Sequence, residues 1–403
     1  MSSIRLIYIL LHIFEIWMLF IAGKKMSQTK TNRAYWKASL WAFVPYVIVL
    51  GLRFGHNIDW NHYSRRYSEM TAMDWSTTEP IYNFVFYILN TNGIPYFVVI
   101  SLQVIFFMFS FLLLAKHFRN CLYYVLPLLP VVAQSNDNYI RWYWAVSFVL
   151  IGFYILISEK KNKLLKCLLL FTCGFAVHNG SIALILLIPA YYWLQNKYLP
   201  PVISTIAIFV SIFFLTIAIV KPLSELGTFI YLLGGDVMDE NKVASYLLKI
   251  NDISEGGLSD VTGITSRGIR DKLIIFISFL PIILYGPRYL KRYKYGILYY
   301  NIFIVGAFLN PFFSTVEIFD RYSKMLLIFQ AIVAGIVYYM MLKDRHFRHN
   351  LKLLCVLSML CSFYPFARYS LLVEQEYRMM YIWDANGREY INPDLYINDM
   401  LRR

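Results

Sequence analysis

"IYNFVFYILNTNGIPYFVVISLQVIFFMFSFLLLA", residues 81–115, runs 35 positions without one charged side chain. A helix rises about 1.5 Å per residue, so about 20 apolar residues already cross the hydrocarbon of a bilayer. The stretch is therefore too long for one straight span, and Asn92, Gly93 and Pro95 interrupt it. It reads as a membrane span that begins after the interruption. Ile81–Asn90 would lie in the interface or dip partway into the membrane.

The rest of the chain repeats this character. Of 403 residues, 59% are hydrophobic and only 15% charged, more apolar surface than a soluble domain can hide. Further runs place spans near Ile4–Ala22, Trp36–Leu52, Leu122–Ala133, Tyr139–Ile157, Leu164–Val177, Ile182–Leu194, Val202–Val220, Leu273–Tyr285, Gly296–Phe312, Tyr322–Leu342 and Leu351–Tyr364. The expected fold is all-α: a polytopic transmembrane helical bundle of about twelve spans, range ten to thirteen, forming a single integral membrane domain over residues 1–403.

Orientation follows from the lysines and arginines. They cluster at Lys24–Lys37, Lys116–Arg119, Lys160–Lys166, Arg288–Lys294 and Lys343–Lys352. With about twelve spans, all these clusters fall on one side, which the positive-inside rule makes cytoplasmic. The net charge of +14 is then a topology signal rather than a nucleic-acid footprint. The opposite, external side carries "GLRFGHNIDWNHYSRRY" (residues 51–67), a long loop over residues 221–272 and a C-terminal tail over residues 367–403. No A-x-A-like cleavage site follows the first apolar segment, and Lys24–Lys25 suits a retained helix. The five cysteines sit in or at the ends of apolar spans, as core residues without a disulfide framework.

The informative residues are the external polar ones. Arg53 ends the second span, Asp59 and Tyr63 follow, Glu79–Pro80 introduces the interrupted segment, Arg141 opens a span, His178 lies in the turn "VHNGS" and Arg321 opens another. Arginines at external helix ends run against positive-inside statistics. Singly each can snorkel to lipid phosphates; together they point to an anionic ligand such as a phosphate. His56, Asp59 and His62 are each three apart, but on a helix positions six apart diverge by about 120°, so no metal site is expected. Walker A, GxSxG, HExxH and dinucleotide signatures are all missing.

The run Arg53-x-Gly55-x-x-x-Asp59-x-x-x-Tyr63, then Glu79–Pro80, Ile140–Arg141, His178 with Ser181, and Arg321–Tyr322, resembles the EpsG family of Wzy-type polymerases of bacterial surface polysaccharides. The resemblance covers roughly residues 40–330. It implies an architecture like that of GT-C-type membrane glycosyltransferases with polyprenyl-linked donors, in the bacterial inner membrane with the active site facing the periplasm or cell exterior. It also implies the activity of a repeat-unit glycosyltransferase. A growing glycan on undecaprenyl pyrophosphate passes to an incoming lipid-linked unit, and undecaprenyl pyrophosphate leaves. The product would be O-antigen, capsule or exopolysaccharide. A chain-length regulator and a flippase of the same pathway are the implied protein partners.

For such a reaction, Arg53, Arg141 and Arg321 are the candidates for holding pyrophosphate, with Arg267 and Arg270 closing over it from the long loop. Asp59 is the first candidate base, then His178 and Glu79. Trp60, Tyr63, Trp142, Tyr143 and Tyr322 are the candidate glycan contacts, although external aromatics also suit an interfacial belt. No cofactor or metal is required. A polysaccharide ligase or O-acyltransferase would share the external arginines and histidine. A lipid-linked oligosaccharide flippase should instead line a central path, and no internal repeat is visible. A receptor or scaffold has little use for these arginines.

Overall fold

The computed structural model describes residues 2–56, 58–73, 79–158, 161–214, 268–314, 317–344, 349–372, 376–388 and 391. Helix α1 (Ser3–Ser27) starts where the Ser2 hydroxyl accepts the Arg5 amide at 3.3 Å. Helix α2 (Asn32–Tyr46) is capped in the same way by Thr31, at 3.1 Å from the Ala34 amide. Pro45 removes one bond from the α2 ladder, and the helix widens into a π-helical turn at Val47–Gly51.

There follow α3 (Ile58–Ser68), α4 (Pro80–Thr91), α5 (Tyr96–Ala115), α6 (Ile140–Ser158) and α7 (Lys163–Val177). A 3-10 stretch, Asn179–Leu186, leads into α8 (Leu187–Leu194) and then α9 (Pro201–Phe213). The second half holds α10 (Ile269–Leu290), α11 (Gly296–Phe313), α12 (Glu317–Lys343), α13 (His349–Ser362) and α14 (Tyr364–Leu372). Among the described residues the one β feature is an isolated antiparallel bridge between Arg53 and Tyr381.

The chain is thus a polytopic helical membrane protein. Among the described residues seven helices are long and apolar enough to cross a membrane, and three shorter apolar helices accompany them at Asn179–Leu194, Pro201–Phe213 and Gly296–Pro311. The interruption read at Asn92–Pro95 is present: α4 stops at Thr91, and Pro95 is the extended cap of α5. Helix α10 begins at Ile269, so the last residues assigned to the long external loop are helical; residues 221–267 of that loop lie outside the described residues.

The span expected at Leu122–Ala133 is not a regular helix. It is a chain of short α and 3-10 turns from Leu122 to Val132, because Pro127 and Pro130 each delete a ladder bond. Irregular backbone at membrane depth is tolerated where protein covers it, and two glycines provide that cover. A Cβ on Gly23 of α1 would meet the Leu122 carbonyl oxygen at 2.5 Å, and one on Gly335 of α12 would lie 2.8 Å from the Val125 backbone. Only residues lacking a Cβ let both helices close on the segment.

Helix α12 is central. More of its apolar window is buried than that of the other six long helices, and it packs on α11, α10 and the Leu122–Val132 segment. Helix α6 packs between α5 and α7. All five cysteines are free, and Cys121, Cys167 and Cys355 are buried.

Candidate active site

Four helix ends bring charged side chains together. Glu79 is the N-cap of α4, Arg141 lies in the first turn of α6, His178 is the C-cap of α7, and Arg321 lies near the start of α12. Pro80 at the first helical position keeps α4 from running back through Glu79. The partial positive charge of that helix terminus favours the carboxylate placed there.

The contacts form a continuous chain. Arg141 donates to Glu79 Oε2. Glu79 Oε1 lies 2.7 Å from His178 Nδ1, and the Asn179 amide points at the same oxygen, 3.4 Å away. On the other edge of the imidazole, Arg321 Nη1 is 3.1 Å from His178 Nε2. A guanidinium can only donate, so Nε2 accepts and the proton sits on Nδ1, where it is donated to Glu79. The tautomer is thereby fixed. Burial alone would raise the Glu79 carboxyl, but the His178 hydrogen bond and the Arg141 charge outweigh it and hold it at about 2. Burial pushes the His178 imidazole below its ordinary value against the opposing pull of Glu79.

Aromatic rings frame the chain. The Arg141 guanidinium lies 4.5 Å over the Tyr63 ring, and Arg321 lies 4.7 Å over Tyr139. Tyr63 is also within electrostatic reach of Asp59 and Arg321. The Trp142 ring stands edge-on to His178 at 5.8 Å and to Tyr322 at 5.3 Å, and Tyr322 donates to the Gly180 carbonyl at 2.7 Å. Asn179 Oδ1, Ser181 Oγ and Trp142 Nε1, which belong to the His178 turn or to the ring beside it, are buried with no hydrogen-bond partner among the described residues. Buried polar atoms of this kind leave hydrogen-bonding capacity open to water or a ligand.

The other expected residues are distributed differently. Arg53 is fully buried and turned inward, donating to the Leu50 carbonyl at 2.7 Å and the Asn136 carbonyl at 2.9 Å. These bonds tie the end of the second span to the Asn136 turn. Asp59 is half-buried on α3 and shares the neighbourhood of Tyr96 with Arg53 and Arg141. Trp60 is packed against Phe54 and Tyr96, and Tyr143 against Phe107 with its hydroxyl on Ser135, so neither offers a ring face. Arg270 is exposed beside Asp271, whose carboxylate also pairs with Arg368. Arg267 lies outside the described residues. His56 bonds the Met380 carbonyl at 2.6 Å, and burial drives its imidazole well below its ordinary value, while His62 is exposed. Among the described residues no group of three or more His, Cys, Asp or Glu side chains could hold a metal ion.

Two contributors escape a sequence reading. Lys324 pairs with Asp320 at 2.6 Å and, with Arg321, flanks the ring of Tyr139. Its signal was present as a basic residue one turn after Arg321, on the same helix face. The C-terminal segment is the other. The Phe54 amide bonds Met380 O, the Ile382 amide bonds Leu52 O, and the Ile391 amide bonds Asn61 Oδ1. The Ile391 side chain covers Gly55, whose φ of +65° lies in the left-handed region. Nothing local in residues 380–391 announces this docking.

The family model described as the EpsG family matches residues 36–377, most of the chain. The chain therefore belongs to the EpsG family, a family of Wzy-like polysaccharide polymerases. No curated protein matches it, and no solved structure does.

Proposed function

We propose that this EpsG-family chain joins undecaprenyl-pyrophosphate-linked oligosaccharide units into a surface polysaccharide on the outer, periplasmic face of the bacterial inner membrane, at the site formed by Arg141, Glu79, His178 and Arg321. The observation that carries the reading is the Arg141–Glu79–His178–Arg321 chain, a carboxylate-oriented imidazole set between two guanidinium groups. A base beside fixed positive charge is what glycosyl transfer from a pyrophosphate requires.

Arg321 turns from His178 Nε2 to the pyrophosphate of the donor, and the freed Nε2 faces the acceptor hydroxyl. The hydroxyl oxygen bonds the anomeric carbon while its proton passes to Nε2. The bond from that carbon to the pyrophosphate oxygen breaks, and its electron pair leaves on undecaprenyl pyrophosphate, offset by Arg321 and Arg141. Glu79 stabilises the imidazolium as it forms. Lys324, on the helix face of Arg321, offsets the Asp320 carboxylate beside the leaving group. The unpartnered atoms of Asn179, Ser181 and Trp142 suit sugar hydroxyls, and the half-buried Tyr322 is the aromatic contact best placed for a glycan. Asp59, in the same neighbourhood, is the secondary candidate base.

The test is to delete the gene in its host, restore it with wild-type protein, His178→Ala or Glu79→Gln, and separate surface and lipid-linked glycans by size. Single repeat units in the deletion and in both variants support the reading. A ladder of normal length, changed only in decoration or attachment, moves the protein to an O-acyltransferase or ligase role; lack of exported units points to a flippase.

A further inference from the structure

A second polar site lies at the far end of the bundle. Arg321 and Lys343 share helix α12, about 33 Å apart along its axis at 1.5 Å per residue. That separation matches a hydrocarbon core of about 30 Å, so Lys343 stands at the opposite membrane face from the candidate active site. There a cavity of about 580 Å³ opens between the ends of α1 and α12, lined by Lys24, Lys343, Ser27, Asn120, Phe20 and Tyr123, among others.

Three features give the cavity its character. Both charged side chains in its lining are lysines, and among the described residues no carboxylate lines it. Lys343 lies beside Tyr339 one turn earlier, with the hydroxyl 2.9 Å from its Nζ and the ring of the same tyrosine beneath it, so its ammonium is directed along the helix end. The cavity is also not closed off from the apolar surface: Phe20 stands edge-on to Tyr123 at 5.9 Å and begins an exposed stripe on α1 that continues through Trp17, Ile13 and Leu10. Positions three or four apart share one helix face, and this face is turned away from the protein. A cationic head site joined to an outward apolar track matches an amphiphile carrying negative charge at its head.

We propose that the cavity binds the phosphate headgroup of an anionic phospholipid at the basic face of the membrane, with an acyl chain running along the Leu10–Ile13–Trp17–Phe20 stripe. This site is separate from the glycan site and does not depend on the reading given to that site.

Native mass spectrometry of the full chain in detergent tests it, with phosphatidylglycerol and phosphatidylcholine of identical chains added in equal amount. The expected result is retention of one phosphatidylglycerol at least fivefold over phosphatidylcholine. Lys24→Ala with Lys343→Ala should abolish the preference, and Lys24→Arg with Lys343→Arg should keep it. Both lysines are exposed, so neither pair should disturb folding, and a melting temperature recorded for each variant checks this. Lys161→Ala with Lys291→Ala, which alters basic loops elsewhere, should leave the preference unchanged. The proposal is overturned if wild-type protein shows no preference, if the alanine pair retains it, or if the loop pair loses it equally. It is also overturned if inorganic phosphate at the lipid's own concentration displaces the phosphatidylglycerol, which would make the cavity a free-anion site.

Discussion

Glu79 and His178, 99 residues apart in the chain, meet with 2.7 Å between carboxylate oxygen and imidazole nitrogen. Arg321 on the other ring nitrogen leaves them one arrangement of protons, with the imidazole donating to the carboxylate. Glu79→Gln keeps the shape but can present its amide to Nδ1 and invert the tautomer. Polymer formed per unit of folded protein is expected to fall about 10²–10⁴-fold, as for loss of a positioned acid–base group. The double variant with His178→Ala should be no worse than His178→Ala alone, because the two act as a unit. Independent, additive losses would refute the coupling.

The pH dependence has a defined sign. Burial lowers the His178 imidazole below its ordinary 6.5, so the neutral, proton-accepting form persists to more acid pH than in a free histidine. The acid limb of the polymerisation rate is expected below pH 6.5. In Glu79→Gln the limb should move further toward acid, since the carboxylate is what pulls the imidazole upward. Rate profiles of both proteins between pH 4.5 and 8, taken as about the useful window for histidine, check this; an upward move would contradict it.

The same linkage bears on stability. The Glu79 carboxyl is held at about 2, down from 4.5, so its contribution is complete above the unfolded value and fades as pH falls from there toward 2. Arg141→Ala removes one charge partner from this low-exposure carboxylate and should destabilise the protein by about 1–3 kcal/mol. Adding Glu79→Ala should return part of the lost melting temperature. A double variant less stable than Arg141→Ala would argue against the pairing.

Arg53 is held by backbone carbonyls of two segments. With its guanidinium buried on the Leu50 and Asn136 carbonyls, Arg53→Lys loses the forked geometry and should cost about 1–3 kcal/mol. Thermal unfolding in detergent should register that loss. Chain length, normalised to folded protein, should stay near wild type; a selective loss of chain length would return Arg53 to the pyrophosphate.

Glu15 is buried within α1, and both carboxyl oxygens have no hydrogen-bond partner among the described residues. Replacing it by leucine removes a desolvated polar group at similar volume, so Glu15→Leu is expected to raise stability by about 1–3 kcal/mol. A lower melting temperature would reveal a partner that this carboxylate serves.

Much of the architecture was legible because it is local. Apolar run length sets which segments can span, and Asn92–Pro95 break one run. The irregular Leu122–Val132 segment was less legible. An uncharged run with two prolines reads as a short span, and only the close approach of Gly23 and Gly335 explains how its backbone is accommodated. Glu79 and His178 could be named only as alternative bases, and Arg141 and Arg321 only as joint holders of pyrophosphate, not as one connected chain.

What the sequence by itself determined is therefore the material: a helical membrane chain of the EpsG family with charged residues at helix ends. The tertiary structure decided the pairings. It joined Glu79 to His178 and Arg321 to His178, and it buried Arg53 while Met380, Ile382 and Ile391 docked beside it. The physical reason is range. Helix formation and span length depend on neighbours within a few residues, whereas the burial and charge partner of a side chain depend on which distant helices pack beside it, and no local pattern encodes that choice.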